Sequence, residues 1–126
     1  MHIHRLSVNK TGIQLSCVDF DTIYVLDLEG NLKQTHGPEI AIAATSSSVS
    51  EGGQSVLDGP VICQVDDDGS VLVTDSDNDR ILVLTEEGQW RQVRLNETLD
   101  EYFDAVWWQG RLYVISWRNR QLTMFQ

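Results

Sequence analysis

The chain has 126 residues, the size of one domain, and its longest apolar runs fall well short of a membrane span. Nineteen acidic against nine basic residues leave a formal net charge of −10. That field opposes a polyanion, because nucleic-acid affinity draws largely on phosphate neutralisation by Lys and Arg.

In chain order the first apolar run with turn punctuation is Ile23-Tyr24-Val25-Leu26, followed by a Glu29-Gly30-Asn31 turn; Gly12 to Leu15 stands ahead of it as an earlier strand. Residues 37–58 carry Gly37-Pro38 and the polar tract Ala44–Gly53, and read as a linker or surface insertion. From Gly59-Pro60 the pattern sharpens. Val61 to Val65 alternates and stops at Asp66-Asp67-Asp68-Gly69, a tight-turn composition. Val71 to Thr74 and Ile81 to Leu84 are the next two runs, and Glu86-Glu87-Gly88 turns the chain into a fourth at Gln89 to Val93. These residues describe a four-stranded antiparallel meander. Residues 96–104 have room for a single helical turn.

The meander recurs. An offset of 41 positions (110 − 69) lays Gly69 on Gly110, Val71-Leu72-Val73 on Leu112-Tyr113-Val114, and Asn78-Asp79-Arg80-Ile81 on Asn119-Arg120-Gln121-Leu122. An offset of 58 (81 − 23) lays Ile23 to Leu26 on Ile81 to Leu84. Three copies of a four-stranded unit of roughly 40 residues point to consecutive blades of a β-propeller. The units are residues 1–36, 59–95 and 96–126, with 37–58 between the first two. The last stops after its third strand, at Phe125-Gln126, and so lacks an outer strand. Three blades leave sheet faces bare, so the remaining blades are expected from a longer parent chain or from a second copy. The carboxyl end reads as natural and the amino end as a truncation.

The residues Gly59-Pro60, Val65-Asp66-Asp67-Asp68-Gly69 and Val71 through Val83 resemble the NHL repeat, strongly in the second unit, less so in the third, and as a skeleton in the first. The resemblance implies an all-β chain: three four-stranded antiparallel blades of a six-bladed NHL-type propeller, as at the carboxyl end of the tripartite-motif ubiquitin ligases. It implies a cytoplasmic, non-catalytic module that binds a protein or peptide and selects substrates, any ligase chemistry lying in a RING domain outside this chain. Some relatives bind RNA on a basic face; here Lys10 and Lys33 are the only lysines, and net charge disfavours that alternative.

Propellers carry function on loops at the ends of their strands. The second-to-third-strand loops would place Phe20, Asp77, Asp79, Trp117 and Arg118 on one partner-binding face. Trp and Arg are favoured binding anchors there. Asp75, Asn78 and Arg80, repeated as Asn119 and Arg120 with Ser116 in place of the aspartate, read as structural. Asn78 would take the left-handed turn conformation, Asp75 would accept turn amides, and Arg80 would reach an adjacent blade, as the family's arginine does.

Other chemistry finds little footing. Asp75-x-Asp77-x-Asp79 with Glu86 at position twelve approaches a calcium loop, but position six is Arg80 instead of glycine, and the Ile81–Thr85 strand would carry Glu86 away. No metal or other cofactor is expected. His2, His4 and His36 fall outside the inner strands of the other units, and no nucleophile elbow, phosphate loop or CxxC pair is present, so catalysis is set aside; a metal-dependent propeller enzyme stays as the third reading. Cys17 and Cys63 read as reduced, partly buried thiols. The Asn9 and Asn96 Asn-x-Thr triplets matter only in a secreted protein.

Overall fold

The structure is a computed structural model that describes residues 6–8, 15–19, 21–27, 29–43, 53–95, 102–116 and 121–125. Its elements are strands β1 (Leu6–Val8), β2 (Leu15–Asp19), β3 (Thr22–Leu26), β4 (Leu32–His36), β5 (Glu39–Ile42), β6 (Gly53–Val56), β7 (Pro60–Val65), β8 (Val71–Asp75), β9 (Arg80–Leu84), β10 (Trp90–Gln92), β11 (Tyr102–Trp108), β12 (Arg111–Ser116) and β13 (Gln121–Phe125). A single 3₁₀ turn, Ser76–Asn78, follows β8. The chain is all-β, as its alternation and turn spacing imply.

The strands form three sheets. The first has the order β1-β2-β3-β4, the second β6-β5-β10-β9-β8-β7, and the third β11-β12-β13. Neighbours are antiparallel with one exception, the parallel junction of β10 with β5 at Trp90 and Ile42. The Ala43 N–H donates to the Trp90 carbonyl there at 2.9 Å.

The meander expected over residues 59–93 is present as β7-β8-β9-β10. Residues 37–58, read from the sequence as a linker, instead contribute β5 and β6, a hairpin that extends the same sheet. The signal was the alternation Glu39-Ile40-Ala41-Ile42, whose isoleucines are buried while Glu39 and Ala41 are exposed. Tyr102, Phe103 and Asp104 lie in β11, which replaces the latter part of the helical turn read over 96–104. β-branched and aromatic residues over seven positions favour the pleated conformation.

Adjacent residues of the second sheet feed opposite seams. Val71, Val73, Leu82 and Leu84 pack with Ile23 and Val25 of the first sheet, joined by Ile40, Ile42, Leu57 and Trp90. Leu72 and Ile81 pack with Ala105, Leu112 and Val114 of the third. All five residues of β8 are buried, and its apolar part, Val71 to Val73, runs without alternation for this reason. Each large aliphatic side chain withdrawn from water in these seams contributes about 1.5–3 kcal/mol. Gln64 adds a polar staple: its Oε1 accepts the Trp107 N–H at 2.8 Å, and its Nε2 donates to the Trp107 carbonyl at 3.4 Å. Both backbone groups of an edge strand are thereby satisfied without a further strand.

The outward side of the third sheet is different. Val106, Trp108, Ile115, Leu122 and Met124 are exposed there, 42% to 63% of each side chain facing water. No described helix is long and apolar enough to cross a membrane.

Candidate functional site

Residues 75–80 connect β8 to β9 and hold most of the described candidate residues. The register sets Asp75 directly opposite Arg80. The intervening residues make one 3₁₀ turn, closed by the Asp79 N–H on the Ser76 carbonyl at 3.2 Å. Asp79, with φ 51° and ψ 46°, takes the left-handed conformation. That position was expected at Asn78, and Asp tolerates it for the same reason, a short polar side chain. Asn78 is used as a donor instead. Its Nδ2 reaches Asp75 Oδ2 at 2.8 Å and the Val56 carbonyl at 2.8 Å.

Asp75 is wholly buried and fully engaged. Its Oδ1 accepts the Asp58 N–H at 2.7 Å, and its Oδ2 accepts Arg80 Nε at 2.8 Å beside the Asn78 amide. Arg80 Nη2 lies 3.4 Å from the Val56 carbonyl. Two expectations are corrected here. Arg80 does not reach across to another sheet: its carboxylate partner stands opposite on β8 and its carbonyl partner on β6, because the β5–β6 hairpin wraps back along this sheet. Asp75 takes its backbone amide from Asp58 in the 56–59 connector, while its own turn gives it the Asn78 side-chain amide.

The connector is held from several sides. Asp77 and Ser76 donate backbone N–H groups to the Asp58 carbonyl at 3.0 Å and the Gly59 carbonyl at 3.3 Å, and Leu57 donates to the Pro38 carbonyl at 2.7 Å. The Gly59 N–H donates to Asp21 Oδ1 at 3.1 Å, which brings the β2–β3 turn to the same place. Gly59 has φ +68°, a conformation that favours glycine; a Cβ there would stand 2.7 Å from Asp77 Oδ2, the end of an exposed side chain that can turn aside.

The outcome is a rigid acidic end. Asp58, Asp77 and Asp79 are exposed, with Asp21 half-buried beside them. The Asp58 carboxyl titrates above its ordinary value, first through reduced hydration in the crowded connector, then through the charge of Asp77 and a hydrogen bond with its side chain, and then through the charges of Asp21 and Asp75. Of the proposed partner-binding residues, the structure brings Asp77 and Asp79 together on this loop; Phe20, Trp117 and Arg118 lie outside the described residues, as do Asn119 and Arg120. Ser116, the counterpart of Asp75, is buried at the end of β12. Glu86 lies beyond the far end of β9, next to Gly69, so the calcium-loop residues are split between opposite ends of a strand. Among the described residues no group of His, Cys, Asp or Glu is arranged to hold a metal ion. Cys63 is a free, mostly buried thiol whose pKa is pushed up to about 11 by burial, which suppresses thiolate chemistry.

The opposite end of the first seam holds groups that sequence reasoning missed. Gln34 Nε2 donates to the Glu86 carbonyl at 3.0 Å, and Gln34 Oε1 accepts from His36 Nε2 at 2.8 Å, which places the ring proton on Nε2. His36 sits edge-on to Trp90, with ring centroids 6.0 Å apart. A cleft of about 190 Å³ opens beside them, lined by Lys33, Gln34, Gly69, Thr85 and Glu86. Burial holds the His36 pKa below its ordinary value. The neutral ring therefore stabilises the fold above the unfolded-state pKa near 6.5, and that contribution is lost as pH falls through the lower folded value. Urea midpoints measured at about pH 7.5 and about pH 5.5 are expected to fall on acidification by less in His36→Gln than in the parent; an equal fall in both would remove His36 from the account.

No family model and no curated protein matches the sequence. Among solved structures the chain is similar to one described as streptogramin B lyase, with a TM-score of 0.58 and 11% sequence identity. The fold is β-propeller-like. The match covers 98% of this chain and 40% of the lyase, so the chain spans well under half the length of that structure. The NHL type in particular has no support from these comparisons. The likeness also corrects one expectation: the sequence reading set catalysis aside, yet an enzyme is built on this fold, and the exclusion does not stand.

Proposed function

We propose that the chain is a segment of an NHL-type, six-bladed propeller, its three sheets serving as blades, and that its acidic end binds a cationic segment of a protein or peptide client. The observation that supports this most is the division of labour in the β8–β9 loop. Asp75, Asn78 and Arg80 satisfy one another and the 56–59 connector, which leaves Asp77 and Asp79 exposed on a loop already fixed in place. Fixed charges lose little entropy on binding, and carboxylates crowded around Asp58 are relieved by a cation. RNA is opposed by the same field. Fluorescence anisotropy with a labelled Lys/Arg-rich peptide is expected to show binding that weakens with added salt, and Asp77→Asn is expected to weaken it by about threefold or more. Equal affinity for a neutral peptide of the same length would defeat the proposal.

The likeness to streptogramin B lyase favours a second reading, a propeller with lyase activity. Incubation of the chain with streptogramin B, followed by mass spectrometry, tests it: unchanged substrate with and without added divalent metal removes that substrate.

A further inference from the structure

We propose that the exposed face of the third sheet is the docking surface for the first sheet of a second copy of this chain, arranged head to tail. The inference rests on the propeller reading above and deepens it by naming the surface and its occupant. The repeat supplies the argument. In the first sheet Ile23 and Val25 face the second. The residues 58 positions on, Ile81 and Val83, face the third, together with Leu72 and Cys63. A further 41 positions on, these four fall on Leu122, Met124, Tyr113 and Asp104. The positions that twice bury the following sheet thus recur a third time on the face where nothing follows among the described residues. Leu122 and Met124 are 63% and 46% exposed there, though their counterpart Ile81 is 1% exposed. Four residues of this face, Val106, Tyr113, Ile115 and Leu122, also line a hollow of about 260 Å³ that reaches past Asp104 and Ala105 to Cys63 of the second sheet, when even about 150 Å³ admits a benzene-sized group.

The same chain carries the complementary surface. Leu82 and Leu84 pack back onto the preceding sheet. Their counterparts 58 positions earlier are Tyr24 and Leu26, half-buried, with exposed Leu32 paired to Leu26. No described sheet stacks on that side. A face with no follower and a face with no predecessor among the described residues belong to one polypeptide and are matched by the repeat, so a second copy fits both, and two such contacts close a pair.

Sedimentation equilibrium of the full chain across the micromolar range tests this, with circular dichroism as the check on folding. A concentration-dependent dimer is expected, with a dissociation constant raised by about tenfold or more when Leu122→Lys and Met124→Lys bring unpaired charges into the seam. Leu26→Lys should weaken it equally, and mixing the two variants should restore a heterodimer through the one intact seam. A parent chain that stays monomeric with its β-sheet spectrum intact would overturn the dimer and leave the propeller reading standing. A dimer indifferent to the lysines would overturn it too, by placing the contact elsewhere. Neither readout involves the cationic peptide, so failure of client binding is separable from failure here.

Discussion

Asp75→Ala is expected to lower the free energy of unfolding by about 3–5 kcal/mol, the cost of removing one member of a buried ion pair. The Arg80 guanidinium, only 13% exposed, would lose the carboxylate that compensates its withdrawal from water. The Asp58 N–H and the Asn78 amide would lose an acceptor in the same step. Because small domains are stable by only about 5–15 kcal/mol, the variant should unfold at a much lower urea concentration, by about 1–3 M at ordinary denaturant sensitivity. Two controls separate this from a general effect of altering the loop. Asp77→Ala, two residues on and exposed, should change stability by less than about 0.5 kcal/mol. Asn78→Ala removes a charge-assisted hydrogen bond to the Asp75 carboxylate and a neutral one to the Val56 carbonyl, and should cost about 1.5–3 kcal/mol. Equal losses for Asp75 and Asp77 would show that the buried network does not hold this end together.

The sheets were legible where the chain alternates and is punctuated. Val71 to Thr74 and Ile81 to Leu84 are strands as read, and the Asp66–Gly69 turn closes as expected, with the Gly69 N–H on the Asp66 carbonyl at 3.0 Å. The β5–β6 hairpin was not legible because its strands are short and the serine-rich tract between them has a linker's composition. Its pairing is also non-local: β5 joins β10, far along the chain, and parallel, a contact that no local turn signal encodes. Tyr102 to Asp104 were misread because acidic residues upstream resemble a helix start, while the strand they enter is fixed by pairing with β12.

At the candidate site, residue types were legible and partners were not. Asp, Asn and Arg at positions 75, 78 and 80 could be assigned to the loop's own structure from their chemistry. Which carboxylate meets the guanidinium depends on β8–β9 register, and which carbonyl receives Asn78 depends on the hairpin that the sequence concealed. Gln34, Gln64 and His36 gave no signal, since a single polar residue on a strand is identified as a seam contact only once the facing sheet is known. The exclusion of catalysis had a similar weakness: it rested on missing motifs, whereas catalytic groups on a propeller converge from distant strands.

The second large effect concerns neighbours in sequence. Ile81→Ala and Leu82→Ala are each expected to cost about 2–5 kcal/mol, the range for emptying a buried aliphatic site. In a sheet with one wet face, adjacent residues alternate between core and solvent, and only one of the two substitutions would be costly. Here Leu82 packs in the seam with the first sheet and Ile81 in the seam with the third, and both are almost fully buried. Val83→Ala, at a partly buried position beside the second seam, should cost less than either. Urea unfolding of the three variants decides the matter. A loss below about 0.5 kcal/mol for Ile81→Ala, with Leu82→Ala costly, would mean that the third sheet does not stack on the second in solution. The repeat-based assignment of its exposed face would then lose its footing, because that assignment takes its direction from the seam Ile81 occupies.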